Sequence, residues 1–350
     1  MGGVALSSVC LGREKKVLRD LSFQPPDRVT SLLSLEHLNV NVPEWNSENE
    51  LFWMKGLGFA SDSRALEVCK GVQQGGGQMQ ALVWANAGLQ QIHIPVGEPK
   101  PMDLQTPPGF VGLVYSDIVA LRRNLKALSI DYSLVSSQET VNVKDVGPPA
   151  MKVRSPTGVS FVVHGIRSQS WLTPNGWMKT KDLEEQEVSL PSLTPSVCLG
   201  IPYMRFNCPY GSARGLARFY EAIFRTKCEL KRAPLECWVP VGASQWLIYR
   251  EVPSGEPVPY DGYHVAIYIN DFVGAYRRAR ALGLVWNNPR FPQTYDTEDQ
   301  AVSHAEFRIL RLVDPESSLE LCQLEHEIRA ACHPGFCAKA WLQEKAVSKQ

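Results

Sequence analysis

The chain has 350 residues, of which 44% are hydrophobic and 21% are charged, a composition typical of a globular protein long enough for two domains. Lysine plus arginine and aspartate plus glutamate each number 36, so the formal net charge is zero and the sequence predicts neither nucleic acid nor an anionic membrane as a partner. No apolar run reaches the roughly 20 residues of a membrane-spanning helix. Residues 1–20 lack the pattern of a secretory signal, so we predict a cytoplasmic protein, with organelle targeting left open because no acidic residue precedes Glu14.

Four segments of the chain repeat one pattern, a strand, an amphipathic helix and further strands. Alternating apolar residues predict the opening strands at 35–43, 109–117, 203–209 and 262–271. Helical spacing predicts the helices at 47–55, 118–128, 217–224 and 272–282. Glycine directly after a helix, as at Gly56 and Gly283, is a common C-terminal cap. One such unit leaves a sheet face uncovered, so we expect the units to pair.

A linker is predicted between the second and third segments. Residues 179–187 are mostly charged, and residues 188–195 are rich in proline and serine, which is typical of an exposed connection. The predicted organisation is therefore an N-terminal extension (1–34), a two-module domain (35–166), a linker (167–202), a second two-module domain (203–326) and a C-terminal tail (327–350).

Three motifs make the chain resemble the vicinal-oxygen-chelate superfamily of glyoxalases, bleomycin-resistance proteins and extradiol dioxygenases. Residues 264–271, HVAIYIND, resemble the first strand of a family module, and residues 52–59, FWMKGLGF, resemble the helix that follows it. Residues 314–321, DPESSLEL, resemble the closing turn and strand. The resemblance covers 35–166 and 203–325 and implies an α+β fold, in which tandem βαβββ modules form two cupped mixed sheets.

Members of this superfamily place metal ligands at the start of the first strand and on the last strand of a module. Carried over residue by residue, this implies His37 and His93 in module one, and His264 and Glu320 in module four. The matching positions of modules two and three are Phe110, Val162, Tyr203 and Leu247. The implied cofactor is a divalent metal, either zinc, Fe(II), nickel or manganese, since imidazole and carboxylate bind these ions.

The pairing of the modules decides whether these four side chains can meet. If modules pair in sequence order, each pair holds at most half of a site. If module one pairs with module four, three imidazoles and one carboxylate form a complete set. Both pairings are compatible with the sequence, and each side chain has the alternative of being an ordinary strand residue.

The resemblance implies a metal-dependent lyase or isomerase of the glyoxalase type, acting on a small α-oxo or vicinal-oxygen substrate. In this hypothesis Glu320 is both a metal ligand and the catalytic base. The first alternative is a non-catalytic protein of the same fold that binds a small molecule or serves as a scaffold. The second is a ring-cleaving dioxygenase, which needs two histidines and one carboxylate. A small molecule is the predicted partner, and the sequence predicts no oligomeric state.

Overall fold

The computed structural model describes residues 30–167 and 197–333, apart from residues 63, 75–78, 89, 98–104, 138, 144–145, 232–234 and 243. Most of the predicted N-terminal extension, linker and tail therefore lies outside the described residues. The strands are β1 Leu32–Asn39, β2 Ala60–Ser61, β3 Ala81–Ala87, β4 Gln90–Val96, β5 Gly109–Tyr115, β6 Tyr132–Ser133, β7 Val146–Arg154, β8 Ser160–Ile166, β9 Cys198–Gly200, β10 Tyr203–Cys208, β11 Glu229–Lys231, β12 Glu236–Val241, β13 Gln245–Glu251, β14 His264–Ile269, β15 Glu306–Val313 and β16 Glu320–Ala330. The helices are α1 Ser47–Glu50, continued by a π-helical segment Leu51–Gly56, α2 Arg64–Gln74, α3 Ile118–Ala127, α4 Ala213–Phe224, α5 Phe272–Ala281 and α6 Glu298–His304.

The predicted repeat of a strand, a helix and three strands is present in the order of these elements. Modules one, two and three each have the full set, with α2 inserted between β2 and β3. Module four has β14, α5, α6, β15 and β16, and an isolated antiparallel bridge between Val285 and Ile309 stands where the other modules have their second strand. The α+β fold class predicted from the sequence is confirmed.

The strands form two mixed sheets. The order in the seven-stranded sheet is β15-β16-β14-β1-β4-β3-β2, and the second sheet follows the path β11-β12-β13-β10-β5-β8-β7-β6, with β9 paired to β5. In the seven-stranded sheet, β1 of module one is therefore the neighbour of β14 of module four. The last strand of module one, β4, is parallel to β1, as β16 of module four is to β14.

Packing divides the chain into two compact units. The N-terminal unit comprises residues 37–205 and 261–263, and the C-terminal unit comprises the residues up to Glu36, 206–260 and those from His264 onward. The boundaries fall within β1 and β10, so each of these two strands contributes residues to both units. The predicted limits of the two domains stay a prediction.

The core of the N-terminal unit includes the helical segment of module one. Helix α1 begins after Asn46, whose side chain accepts a hydrogen bond from the backbone N–H of Asn49. Trp53, on the π-helical segment, is fully buried and packs edge-on against Phe161, with 5.4 Å between ring centroids. Gly58 follows the segment with φ of +65°, a conformation that glycine adopts without strain.

The core of the C-terminal unit includes contacts between helix α5 and strand β15. Phe272 and Tyr276, one helical turn apart, pack against Phe307 at centroid distances of 5.2 and 5.5 Å. Helix α6 begins with a capping box, in which Thr297 and Gln300 each accept a hydrogen bond from the other's backbone N–H. Among the described helices, none is both long enough and apolar enough to cross a membrane.

Strand β16 is longer than the sequence predicts. It has 11 residues, and its pairing with β14 continues to the pair of Ile269 and Ala330. Residues 327–330 therefore belong to the sheet, although the predicted C-terminal tail begins at residue 327. These residues extend the strand because they pair in parallel with β14, a pairing that the local sequence of this segment does not reveal.

Candidate metal centre

His264 and two carboxylates of β16 meet in the C-terminal unit. His264 is the first residue of β14, and the parallel register pairs it with Glu325 and pairs Ala266 with Glu327. Alternate residues of a strand share a face, so both carboxylates lie on the face of His264. Its Nε2 lies 3.3 Å from Oε2 of Glu327, and its Nδ1 lies 4.0 Å from Oε2 of Glu325. All three residues are buried.

Arg308 of β15 connects these carboxylates. Its guanidinium contacts Oε2 of Glu327 at 2.9 Å and Oε1 of Glu306 at 3.0 Å, and it also pairs with Glu325. The amide of Asn288 donates hydrogen bonds of 3.0 Å to both oxygens of Glu325. Burial opposes a charge on Arg308, but Glu327, Glu306 and Glu325 outweigh it and hold the pKa of Arg308 well above its ordinary value. The guanidinium therefore stays charged.

Arg329 provides a second guanidinium beside the same carboxylates. It pairs with Glu36 and with Glu327, and its Nε lies 3.8 Å from Glu306. Burial and the charge of Glu327 raise the pKa of Glu306. In this cluster four carboxylates (Glu36, Glu306, Glu325 and Glu327) contact two guanidiniums (Arg308 and Arg329). The carboxylate of Glu327 is thus held by two buried guanidiniums, those of Arg308 and Arg329.

The two histidines of module one stack on each other in the N-terminal unit. His37 lies on β1 and His93 on β4, and both are buried. Their ring centroids are 3.6 Å apart, with an angle of 18° between the ring planes. The other face of His93 stacks on the indole of Trp84, at 4.4 Å and 8°. Both imidazoles are therefore held in the same orientation by face-to-face contacts.

One group of side chains could hold a metal ion. Ligand atoms of His37, His264 and Glu327 all lie within 4.8 Å of one another, and all three residues are buried. Among the residues that the structure describes, no other group of three or more histidine, cysteine, aspartate or glutamate side chains meets this condition. Imidazole nitrogen and carboxylate oxygen are ligands for zinc and other divalent transition metals.

Two solved structures resemble this one in fold. Glyoxalase I from Zea mays matches with a TM-score of 0.51 and 13% sequence identity, over 90% of this chain and 97% of that chain. A putative dioxygenase from Bacillus subtilis subsp. subtilis str. 168 matches with a TM-score of 0.51 and 11% identity, over 90% of this chain and 91% of that chain. The chain has the vicinal-oxygen-chelate fold. No family model and no curated protein matches its sequence.

The vicinal-oxygen-chelate fold brings together some of the predicted ligands. His37 and His264 belong to the candidate group, while His93 stacks on His37 and is not a member. Glu320, the predicted carboxylate, is the first residue of β16; it is exposed and lies 3.9 Å from Arg311. The role assigned to Glu320 stays a prediction. Glu327 is not among the ligands predicted from the sequence; its signal is the alternation of charged residues along the second half of β16.

The matching positions of modules two and three hold no comparable set. Phe110, Val162, Tyr203 and Leu247 are all buried. The hydroxyl of Tyr203 lies 2.7 Å from Nε2 of His164, and Nδ1 of His164 lies 3.0 Å from the carbonyl oxygen of Gly147. The carbonyl can only accept, so Nδ1 carries the proton and Tyr203 donates to Nε2. This polar pair is satisfied within the protein.

His164 makes the stability of the protein depend on pH. Burial lowers its pKa below the ordinary value of 6.5, and the hydrogen bond to Gly147 opposes this only partly. As the pH falls, the unfolded chain therefore binds a proton at His164 at a higher pH than the folded chain does. The contribution of neutral His164 to the free energy of unfolding is fully present above pH 6.5 and is lost as the pH falls through the lowered pKa. Between pH 6.5 and 5, we expect the free energy of unfolding of the wild type to fall more steeply than that of His164→Gln, by up to about 1.4 kcal/mol per pH unit. Urea unfolding across this range measures the difference, and parallel curves for the two proteins would contradict it.

Proposed function

We propose that this chain binds one divalent metal ion through His37, His264 and Glu327, and acts as a glyoxalase-like lyase or isomerase on a small substrate with α-oxo or vicinal oxygens. The observation that carries the proposal is the buried group of two imidazoles and one carboxylate. The vicinal-oxygen-chelate fold supports a small molecule as the partner. The cytoplasmic location stays a prediction.

The residues present fit a divalent cation in ligand type and in spacing. Two ligand atoms that each bind one ion at about 2.1 Å are about 3.0–3.4 Å apart at octahedral or tetrahedral angles. Nε2 of His264 and Oε2 of Glu327 are 3.3 Å apart.

A bound divalent metal would supply Lewis-acid activation of the substrate oxygens. The residues of the chain prepare that chemistry. Nε2 of His264 and Oε2 of Glu327 face each other at 3.3 Å, so both atoms are available as ligands on the same side of the strand pair. Arg308 and Arg329 fix the orientation of the Glu327 carboxylate, as outer partners of metal ligands commonly do. The carboxylate of Glu327 is the candidate group to accept a proton from the substrate.

A non-catalytic role is the second candidate, and the same carboxylate favours it. Oε2 of Glu327 already contacts Arg308, and Oε1 contacts Arg329. A carboxylate satisfied by two guanidiniums needs no metal to be stable in a buried position. The centre would then be a structural ion-pair network in a small-molecule-binding protein.

Metal content decides between these roles. We expect about one divalent ion per wild-type chain after incubation with Zn²⁺, Mn²⁺, Ni²⁺ or Fe²⁺ and gel filtration. Glu327→Gln should lose the ion, because a neutral amide is a poor ligand for these metals. The matched control Glu320→Gln, a change on the same strand, should keep it. Circular dichroism of each variant checks that it is folded.

Each other outcome has a defined meaning. Folded wild-type protein that binds none of the four ions would overturn the enzyme proposal in favour of the ion-pair network. Loss of the ion in Glu320→Gln but not in Glu327→Gln would assign the carboxylate ligand to Glu320. A metal-loaded protein that turns over α-oxo compounds supports the lyase or isomerase, whereas consumption of oxygen with catechols would support the dioxygenase, since two histidines and one carboxylate also suit Fe(II).

A further inference from the structure

We propose that His93 is a positioning residue, which orients His37 by stacking and is not itself a metal ligand. The inference rests on the proposed metal centre, in which His37 is a ligand. It assigns to His93 a role that its place in the sequence does not suggest, because the position on the last strand of the module points to a ligand. The contacts that carry it all lie within the N-terminal unit.

Three rings, those of Trp84, His93 and His37, are stacked, and the guanidinium of Arg64 lies over the ring of Trp84. The guanidinium carbon of Arg64 lies 5.6 Å from the ring centroid of Trp84, the ring of Trp84 lies 4.4 Å from that of His93, and His93 lies 3.6 Å from His37. The angles between the ring planes are 8° and 18° for the two ring pairs. A rotation of the His37 ring about its last torsion would drive its edge into His93. The stack therefore restricts the direction in which the ring nitrogens of His37 point.

The same stacking makes His93 a poor ligand for an ion bound by His37. A metal binds in the plane of an imidazole, at about 2.1 Å from the nitrogen. Two nearly parallel rings with centroids 3.6 Å apart do not share a plane. An ion in the plane of His37 would therefore lie out of the plane of His93, where the nitrogen has no lone pair.

A chain of hydrogen bonds fixes the proton of His93. The carboxylate of Asp62 can only accept, and it accepts from Nε2 of Gln91 at 2.8 Å. The same Nε2 donates to Oδ1 of Asn86 at 2.6 Å, so both of its protons are used. Oε1 of Gln91 therefore faces Nε2 of His93, 3.0 Å away, and accepts its proton. Nε2 of His93 is a donor and has no lone pair for a metal.

Asp62 is itself held in place at the start of this chain. Arg64 donates to both of its oxygens through Nε at 3.0 Å and through Nη2 at 2.5 Å. Arg64 thus contacts the ring of Trp84 in the stack, and it also holds Asp62, the first residue of the hydrogen-bond chain. His93 is restrained both perpendicular to its ring and within its ring plane, which suits a side chain that supports a ligand.

Two substitutions at residue 93 separate support from ligation. His93→Phe keeps a flat ring in the stack and removes both nitrogens, whereas His93→Ala removes the ring. We expect His93→Phe to bind Zn²⁺ within about threefold of the wild type, and His93→Ala to bind it about 10- to 100-fold more weakly, the range usual for loss of an outer partner. The visible spectrum of bound Co²⁺ should be retained in His93→Phe and altered in His93→Ala.

The outcomes distinguish this proposal from the proposed function. Equal loss of metal in His93→Phe and His93→Ala, with both folded, would assign His93 as a ligand and overturn the positioning role. Proton NMR of the metal-free proteins reports the stack without any metal: the His37 ring protons should be shifted by ring currents in the wild type and in His93→Phe, and much less in His93→Ala. Absence of that difference would overturn the stacking itself. A wild type that shows the stack but binds no metal would overturn the proposed function instead.

Discussion

Replacing Arg308 with methionine is expected to lower the free energy of unfolding by about 3–5 kcal/mol. The side chain of Arg308 is 6% exposed, and its guanidinium contacts Glu306, Glu325 and Glu327. Methionine has a similar length but no charge. It therefore removes the guanidinium that contacts Glu325, and one of the two guanidiniums that contact Glu306 and Glu327, in a buried site. Repulsion among these carboxylates and the loss of solvation then oppose folding. Urea unfolding at pH 7, followed by circular dichroism, measures the change.

The same substitution at Arg311 is the matched control. Arg311 lies on the same strand, but its side chain is 53% exposed and its ion pair with Glu320 is 3.9 Å long. An exposed pair of this kind contributes about 1 kcal/mol or less. Arg311→Met should therefore change the free energy of unfolding very little. Similar losses for the two variants would mean that the Arg308 network is not a buried charge cluster.

Much of the fold could be predicted because its signals are local. Helix α5 was predicted over 272–282 and spans Phe272–Ala281, since apolar residues at helical spacing and a following glycine mark it in the sequence. His264 was placed at the start of β14 for a similar reason, because alternating apolar residues directly before the helix define that strand. Local patterns therefore located His264, one member of the candidate metal group.

Glu327 could not be predicted in the same way, because its place depends on a register between distant strands. The resemblance of residues 314–321 to the family's closing turn and strand implies Glu320 as the ligand. In the structure, β16 continues to Ala330 and runs parallel to β14. The carboxylate that faces His264 is therefore Glu327, seven residues after Glu320 in the chain. No local pattern fixes a pairing between residues so far apart in the chain, and a change of register would bring other residues opposite His264.

The stacking of His93 shows a second limit of sequence reasoning. Its position on β4 was predicted, but the role of a histidine depends on which groups face its two nitrogens and its two ring faces. Trp84, on the neighbouring strand β3, contacts one face of the His93 ring. Gln91, on the same strand as His93, contacts its Nε2. The residue type and the spacing are the same for a metal ligand and for a residue that positions a ligand. Only the three-dimensional contacts favour the positioning role.

Replacing Tyr220 with phenylalanine is expected to lower the free energy of unfolding by about 1–3 kcal/mol. Burial lowers the pKa of His326 to about 4, so its ring is neutral at pH 7. Nδ1 of His326 faces the carbonyl oxygen of Leu324 at 2.7 Å and must donate, so Nε2 accepts from the hydroxyl of Tyr220 at 2.6 Å. The hydroxyl of Tyr249 then donates to Tyr220 at 2.7 Å. Phenylalanine at residue 220 removes the middle of this chain, and the hydroxyl of Tyr249, 3.4 Å from Nε2 of His326, replaces it only over a longer distance.

Tyr249→Phe is the control, because it removes only the end of the chain. Tyr220 would still donate to His326, so the loss of stability should be clearly smaller than in Tyr220→Phe. An equal loss in the two variants would contradict the proton assignment, and thermal unfolding at pH 7 can measure both. His326 lies between Glu325 and Glu327 on β16, and successive residues of a strand face opposite sides. The Tyr220–His326 hydrogen bond therefore anchors β16 from one face while Arg308 holds its carboxylates on the other, and both restrain the strand that presents Glu327 to His264.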